Sequence, residues 1–132
     1  MSMFNFESLN VYKKSIEFVK QVYLATKGFP REEMFGLINQ FRRAAVSISL
    51  NIAEGSAQTK KGFRKFIDTA RGSLYECVAI LQISQDLGYI GVQKLEQLQT
   101  MLVTISKMLS GLKRSLDTKT ANHEPRTINN ER

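Results

Sequence analysis

Residues 95–116, LEQLQTMLVTISKMLSGLKRSL, carry seven large apolar side chains at alternating spacings of three and four residues. These side chains are Leu95, Leu98, Leu102, Ile105, Leu109, Leu112 and Leu116. Heptad spacing of this kind places every one of them on the same face of an α-helix, which packs against other helices. The segment therefore predicts one member of a helical bundle.

Three more helical segments precede it, at about residues 9–27, 31–54 and 62–87. Glycine- and proline-containing breaks separate the segments, and short loops between long helices make neighbouring helices antiparallel. The sequence predicts an all-α, antiparallel up-down-up-down four-helix bundle over residues 1–117. The polar, aperiodic residues 118–132 are predicted to form a disordered tail.

The first and third segments are apolar over a wider arc than one core requires. In the first, the predicted core stripe is Leu9, Tyr12, Ile16, Val19 and Tyr23. Surplus apolar residues lie beyond the predicted core stripes of both segments: Val11, Phe18, Val22, Tyr75, Val78 and Ile83. Surplus apolar surface usually marks an interface, so we expect homo-oligomerisation. The alternative is that the first and third helices bury this wide apolar face within one chain.

The composition favours an anionic partner in a reducing compartment. The 132 residues include 19 Lys and Arg against 12 Asp and Glu, a net charge of +7. Such a balance favours RNA, DNA or acidic proteins. A single cysteine excludes an internal disulfide. There is neither a signal-peptide pattern at the start nor an apolar run long enough to cross a membrane. We expect a cytoplasmic protein that does not engage a membrane.

Residues for catalysis are scarce. The one histidine, His123, lies in the predicted tail, so a zinc site, a di-iron site or a nucleophile–histidine pair has no histidine within the bundle. No glycine-rich phosphate loop occurs. We predict no catalytic residue, no metal and no cofactor. The enzymatic alternative would have to use the acids Glu54 and Glu76, without a nucleophile or a suitable base.

A line of polar residues follows the second segment, and we call it, together with a glutamate of the third, the polar seam. Its members are Gln40, Arg43, Ser47, Asn51, Glu54 and Glu76. Either it is a solvated face, or it lies at a subunit interface or lines a channel, where its groups must hydrogen-bond to one another or to a ligand. Glu76 either pairs with Arg42 or Arg43 or faces water. In the same segment as Glu76, Gly72 predicts a close approach to another helix.

Four cations begin the third segment: Lys60, Lys61, Arg64 and Lys65. Cations at a helix N-terminus oppose the helix dipole, so helix stability does not explain them. They predict phosphate contacts, with Arg42 and Arg43 contributing if these two face outward. The alternative is a solubilising run of charge.

Two blocks of sequence resemble a known family. The first contains Phe35-Gly36-Leu37, residues 40–48 (QFRRAAVSI) and residues 51–55 (NIAEG). The second contains Phe66, Ala70, Gly72-Ser73, Glu76 and the turn at residues 87–90 (LGYI). Together they resemble the 23S rRNA intervening-sequence protein family over about residues 6–116. The chain departs from the family pattern at Ser49, Leu50 and Gln58.

The resemblance implies an antiparallel four-helix bundle that assembles into a ring-shaped homopentamer. It also implies a bacterial, nucleic-acid-associated protein. We therefore predict a non-enzymatic, basic homo-oligomer that binds structured RNA through phosphate contacts. The alternative function is a protein-interaction scaffold that presents helix faces to a polymerase or a ribosome-associated partner.

Overall fold

The computed structural model describes residues 5–121, apart from the side chains of residues 8 and 118–121. Four α-helices make up most of it: α1 (Asn10–Thr26), α2 (Leu37–Ser56), α3 (Lys60–Asp86) and α4 (Val92–Ala121). Short 3₁₀ turns precede α1 at Asn5–Ser8 and α2 at Arg31–Glu33. Within the described residues there is no β-strand. The predicted all-α class is confirmed.

The helices pack in cyclic order as a four-helix bundle. α1 packs on α2, α2 on α3, α3 on α4, and α4 closes the ring of helices against α1. The most extensive of these contacts joins α2 to α3. A single apolar core runs through the bundle, and α4 contributes to it the residues predicted from its heptads, with Leu112 only half-buried.

The predicted phase of α1 is wrong. The buried residues of α1 are Val11, Ser15, Phe18, Val22 and Thr26. The stripe predicted as core lies beside the contact with α2, where its side chains are half-buried or, for Tyr23, 41% exposed. Two adjoining apolar stripes of α1 share the same period. The stripe that faces the core is the harder one to identify from the sequence, because it includes the polar residues Ser15 and Thr26. By contrast, Tyr75, Val78 and Ile83 of α3 lie outside the core, as predicted.

Two helix boundaries differ from the prediction by four residues or more. α2 begins at Leu37 rather than Arg31, because a 3₁₀ turn and Gly36 intervene before the helix starts. α4 continues to Ala121, four residues into the predicted tail. No helix-breaking residue occurs there before Pro125. The rest of the predicted tail, residues 122–132, lies outside the described part of the chain.

Candidate nucleic-acid interface

The start of α3 carries the predicted cation cluster on a capped helix end. The Thr59 hydroxyl oxygen accepts a hydrogen bond from the Gly62 backbone N–H at 3.1 Å, which makes Thr59 the N-cap. Because Phe63 and Ile67 are buried in the core, the phase of the first turns is fixed. Lys61 and Lys65 consequently face solvent.

The last turns of α4 lie beside this cluster. The Arg64 Nε atom lies 2.9 Å from Asp117 Oδ1, and the Lys113 Nζ atom lies 2.8 Å from Asp68 Oδ1. The Arg64–Asp117 contact is an ion pair without an aligned hydrogen bond from Nε. Both pairs are more than a third exposed, so each contributes little to stability. They show instead that residues 64–68 of α3 and residues 113–117 of α4 lie side by side.

These two helix ends form one positively charged surface, which we call the basic end. It consists of the cations Lys60, Lys61, Arg64, Lys65, Lys113 and Arg114. Two of the six are paired with Asp68 and Asp117. Among the described residues, the other four have no carboxylate partner. An anion approaching this surface therefore meets unneutralised charge at the positive end of the α3 dipole.

Lys113 and Arg114 are not among the predicted phosphate contacts, because they lie in a different helical segment from Lys60, Lys61, Arg64 and Lys65. The adjacent cations are visible in the sequence, and the antiparallel order predicts that the end of α4 lies beside the start of α3. Combining these two observations would have found them.

The structure does not bring Arg42 and Arg43 to the basic end. They lie near the opposite end of α2, about 20 Å away along the helix axis. The Arg42 Nε atom donates to Thr26 Oγ1 at 2.9 Å, and its guanidinium lies 4.5 Å from the centre of the Tyr23 ring. Arg42 is therefore held in the cleft between α1 and α2, whereas Arg43 is exposed.

The polar seam divides into bonded and solvated members. Ser47 Oγ lies 2.8 Å from Ser73 Oγ of α3, and Asn51 Nδ2 donates to the Ser47 carbonyl and hydroxyl oxygens at 2.8 and 3.0 Å. The remaining members, Gln40, Arg43, Glu54 and Glu76, are exposed. Within the described part of the chain, no ion pair joins Glu76 to Arg42 or Arg43.

Aromatic and thiol groups near these surfaces are packed rather than reactive. Phe63 is buried, and Phe66 is half-buried and packs close to Gly55. Burial, with a smaller effect of the Glu76 charge, raises the pKa of the Cys77 thiol from 9.0 to about 12. The thiol is therefore protonated at neutral pH and is a poor nucleophile.

Over residues 5–121, no three His, Cys, Asp or Glu side chains are grouped so that they could hold a metal ion. None of the described helices is both long enough and apolar enough to cross a bilayer.

Comparisons with known proteins identify the family. The model of the family described as 23S rRNA-intervening sequence protein matches residues 7–111. The structure is similar to that of a protein of unknown function from the S23 ribosomal protein family of Bacteroides thetaiotaomicron. The TM-score is 0.70 at 26% sequence identity, and the match covers 77% of this chain and 96% of that chain. No curated protein matches the chain. Since the family match spans most of the bundle, the chain belongs to the 23S rRNA-intervening sequence protein family.

Proposed function

We propose that this protein is a non-enzymatic, cytoplasmic homo-oligomer, pentameric in the family's manner, that binds structured RNA through phosphate contacts. The observation that carries the RNA-binding part is the basic end, where Lys60, Lys61, Lys65 and Arg114 have no carboxylate partner among the described residues. The family's association with 23S rRNA insertions supports a nucleic-acid ligand rather than an acidic protein.

Phosphate contact suits the arrangement better than base recognition. Lysine and arginine side chains bind backbone phosphates irrespective of sequence. Base recognition in single strands usually adds exposed aromatic rings for stacking, and the nearest rings, Phe63 and Phe66, are occupied in packing. A folded RNA that presents closely spaced phosphates is the ligand class that fits.

The salt dependence of RNA binding tests this assignment. Binding weakens as salt rises, so the slope of log K against log salt is negative, and each phosphate contact that is lost reduces the magnitude of this slope by about 0.7 to 0.9. We expect the triple variant K61Q/K65Q/R114Q to reduce the magnitude of the slope by about two to three and to weaken binding at low salt. The measurement is fluorescence anisotropy with a labelled, structured RNA over a range of KCl concentrations.

A matched control keeps the change in net charge the same. Lys13, Lys20 and Lys27 are exposed lysines of α1, and K13Q/K20Q/K27Q also removes three positive charges. If both triple variants lose the same slope, the effect is one of net charge and the basic end is not the binding surface.

The second candidate function is the protein-interaction scaffold, and exposed apolar side chains favour it. Several large apolar residues are more than half exposed in the single chain, among them Phe35, Leu50, Tyr75 and Val103. A bound polymerase or ribosome-associated protein would stay with the purified chain through nuclease treatment and high salt, whereas bound RNA would be removed.

A further inference from the structure

The most exposed large apolar side chain of the described chain is that of Phe35, at 95% of its full accessibility. Single apolar residues on a surface are common. A phenyl ring that contacts almost nothing of its own chain is different, because it adds no buried apolar area and so does not stabilise the folded chain.

The loop that carries Phe35 is fastened on both sides. The Glu33 carboxylate accepts the Leu37 backbone N–H at 3.1 Å and the Tyr89 hydroxyl at 2.9 Å. The Gly36 backbone N–H donates to the Glu33 carbonyl at 3.0 Å. One glutamate thus caps α2 and ties this loop to the loop between α3 and α4. The ring is held out in a fixed position, so little loop entropy is lost when it docks.

An apolar groove of about 500 Å³ runs between α3 and α4. Its floor is formed by Leu74 and Leu102, which are buried, and its walls by Tyr75, Val78 and Val103, which are 41–56% exposed. No segment of the described chain covers it. A groove of this composition suits a planar apolar side chain.

The groove cannot take Phe35 of its own chain. Phe35 precedes α2 at the end of the bundle where α3 terminates, and Val78 lies about 12 Å before that terminus along the helix. Because the loop is fastened at Glu33, it cannot swing over that distance.

Charge complementarity favours a second copy of this chain as the occupant of the groove. Lys107 is exposed and lines it, Arg71 lies one turn before Tyr75 and donates to its hydroxyl, and no described lining residue is acidic. Phe35 follows the exposed acid Glu32 by three residues. Exposed Arg31 also lies in this loop, so Arg31, Glu32 and Glu33 together leave residues 31–36 with a net charge of −1. The groove is apolar, and the charged residue that lines it is the cation Lys107.

We propose that the Phe35 ring of one chain inserts into the α3–α4 groove of a second copy, with Glu32 of the first near Lys107 of the second. This inference rests on the self-association proposed above and names the two surfaces that join. They are different surfaces of the same chain, so the contact is head-to-tail. Repetition of a head-to-tail contact closes into a ring when the rotation allows it.

Removal of the Phe35 phenyl group tests the contact. We expect Phe35→Ala to weaken self-association about thirty-fold or more, the effect of losing an aromatic hot spot. Light scattering after size exclusion measures it as a shift toward the 15.0 kDa monomer. Leu24→Ala, at an apolar residue 55% exposed on α1, is the matched control and leaves the mass unchanged. Thermal melting shows whether F35A folds, as it must if the ring packs on nothing in its own chain.

Charge reversal tests the pairing. Glu32→Lys and Lys107→Glu each place like charges at the contact and lower the assembled mass. The double variant E32K/K107E restores it, because the pair is reversed rather than lost. If the double variant assembles no better than the single ones, the two residues do not face each other.

Cross-linking tests the head-to-tail geometry directly. Met34→Cys and Val103→Cys chains, which both keep Phe35, are co-purified from cells that make both and treated with a short bis-maleimide. Native Cys77 gives no background, because it is buried and its thiol is protonated. We expect covalent dimers from the mixture and none from either variant alone. Cross-linking of M34C to itself means a two-fold contact and overturns the proposal.

The failure of this contact is distinguishable from failure of the proposed function. An assembled wild-type protein that keeps its mass in F35A and in Val103→Glu disproves this contact and leaves self-association standing. A monomeric wild-type protein disproves both. The salt slope of RNA binding is a separate readout for the basic end.

Discussion

A Cβ atom added to Gly55 would lie 2.6 Å from Phe66 Cβ and 2.8 Å from a ring carbon of Phe63. Distances this short do not occur between real side-chain atoms, and Phe66 Cβ cannot rotate away because it is bonded to the backbone. At Gly55 the absence of a side chain therefore sets how closely α2 and α3 approach. Gly72 differs, since a Cβ there would meet nothing within 4 Å. The close approach predicted at Gly72 does not exist within one chain.

The two glycines give opposite predictions for substitution by alanine. We expect Gly55→Ala to lower the free energy of unfolding by about 1–3 kcal/mol, because the added methyl overpacks the α2–α3 contact. Gly72→Ala is the matched control and raises it by about 0.5–1 kcal/mol, through helix propensity alone. Urea denaturation of the two variants measures both. If G55A is as stable as the wild type, the helices separate without loss and the contact is less tight than described.

At the scale of a helix, α1 shows where sequence periodicity stops being informative. Its two apolar stripes repeat with the same period, so spacing alone cannot choose between them. The stripe that faces the core contains Ser15 and Thr26, which are polar residues and so do not mark it as a core stripe. Both are satisfied locally: Thr26 Oγ1 donates to the Val22 carbonyl at 2.8 Å, and Ser15 Oγ to the Tyr12 carbonyl at 2.7 Å. By contrast, the phase of α4 was predictable, because it has only one stripe of large residues at heptad spacing.

The pairing of α1 with α2 includes a buried hydroxyl pair, and this makes a double-mutant cycle informative. Ser15 Oγ lies 2.8 Å from Ser49 Oγ, and both side chains are buried. Because the Ser15 hydrogen points to the Tyr12 carbonyl, the Ser49 hydroxyl donates to Ser15. Ser15→Ala removes the acceptor for that buried donor, and we expect it to lower the free energy of unfolding by about 1–3 kcal/mol.

The rest of the cycle separates this bond from general loss of packing. Ser49→Ala removes a donor but leaves Ser15 bonded to Tyr12, so its effect is smaller. The double variant S15A/S49A is destabilised by less than the sum of the single changes, with a coupling of about 0.5 kcal/mol or more. Strict additivity in urea denaturation contradicts a bond between the two hydroxyls.

For the molecule as a whole, the fold was predictable from the sequence and the grouping of its charges only in part. Lys60, Lys61, Arg64 and Lys65 are adjacent in sequence and remain adjacent in space. The predicted cations Arg42 and Arg43 lie elsewhere, because helix spacing assigns a face but not a distance from another helix. The ion pairs of Arg64 and Lys113 with carboxylates of the neighbouring helix depend on the relative height of α3 and α4, which no local pattern encodes.

The cyclic packing order of the helices also has a consequence for the order of folding. Three of the four helix–helix interfaces join helices that are neighbours in sequence and are linked by short connections, so forming these interfaces costs little chain entropy. The fourth interface, between α1 and α4, joins the first helix of the chain to the last and is the least extensive of the four. Polar bonds span it, such as that from Lys94 Nζ to Gln21 Oε1 at 2.8 Å, across 73 positions of sequence. We therefore expect the α1–α4 interface to be the last to close as the chain folds and the first to open when the native state fluctuates.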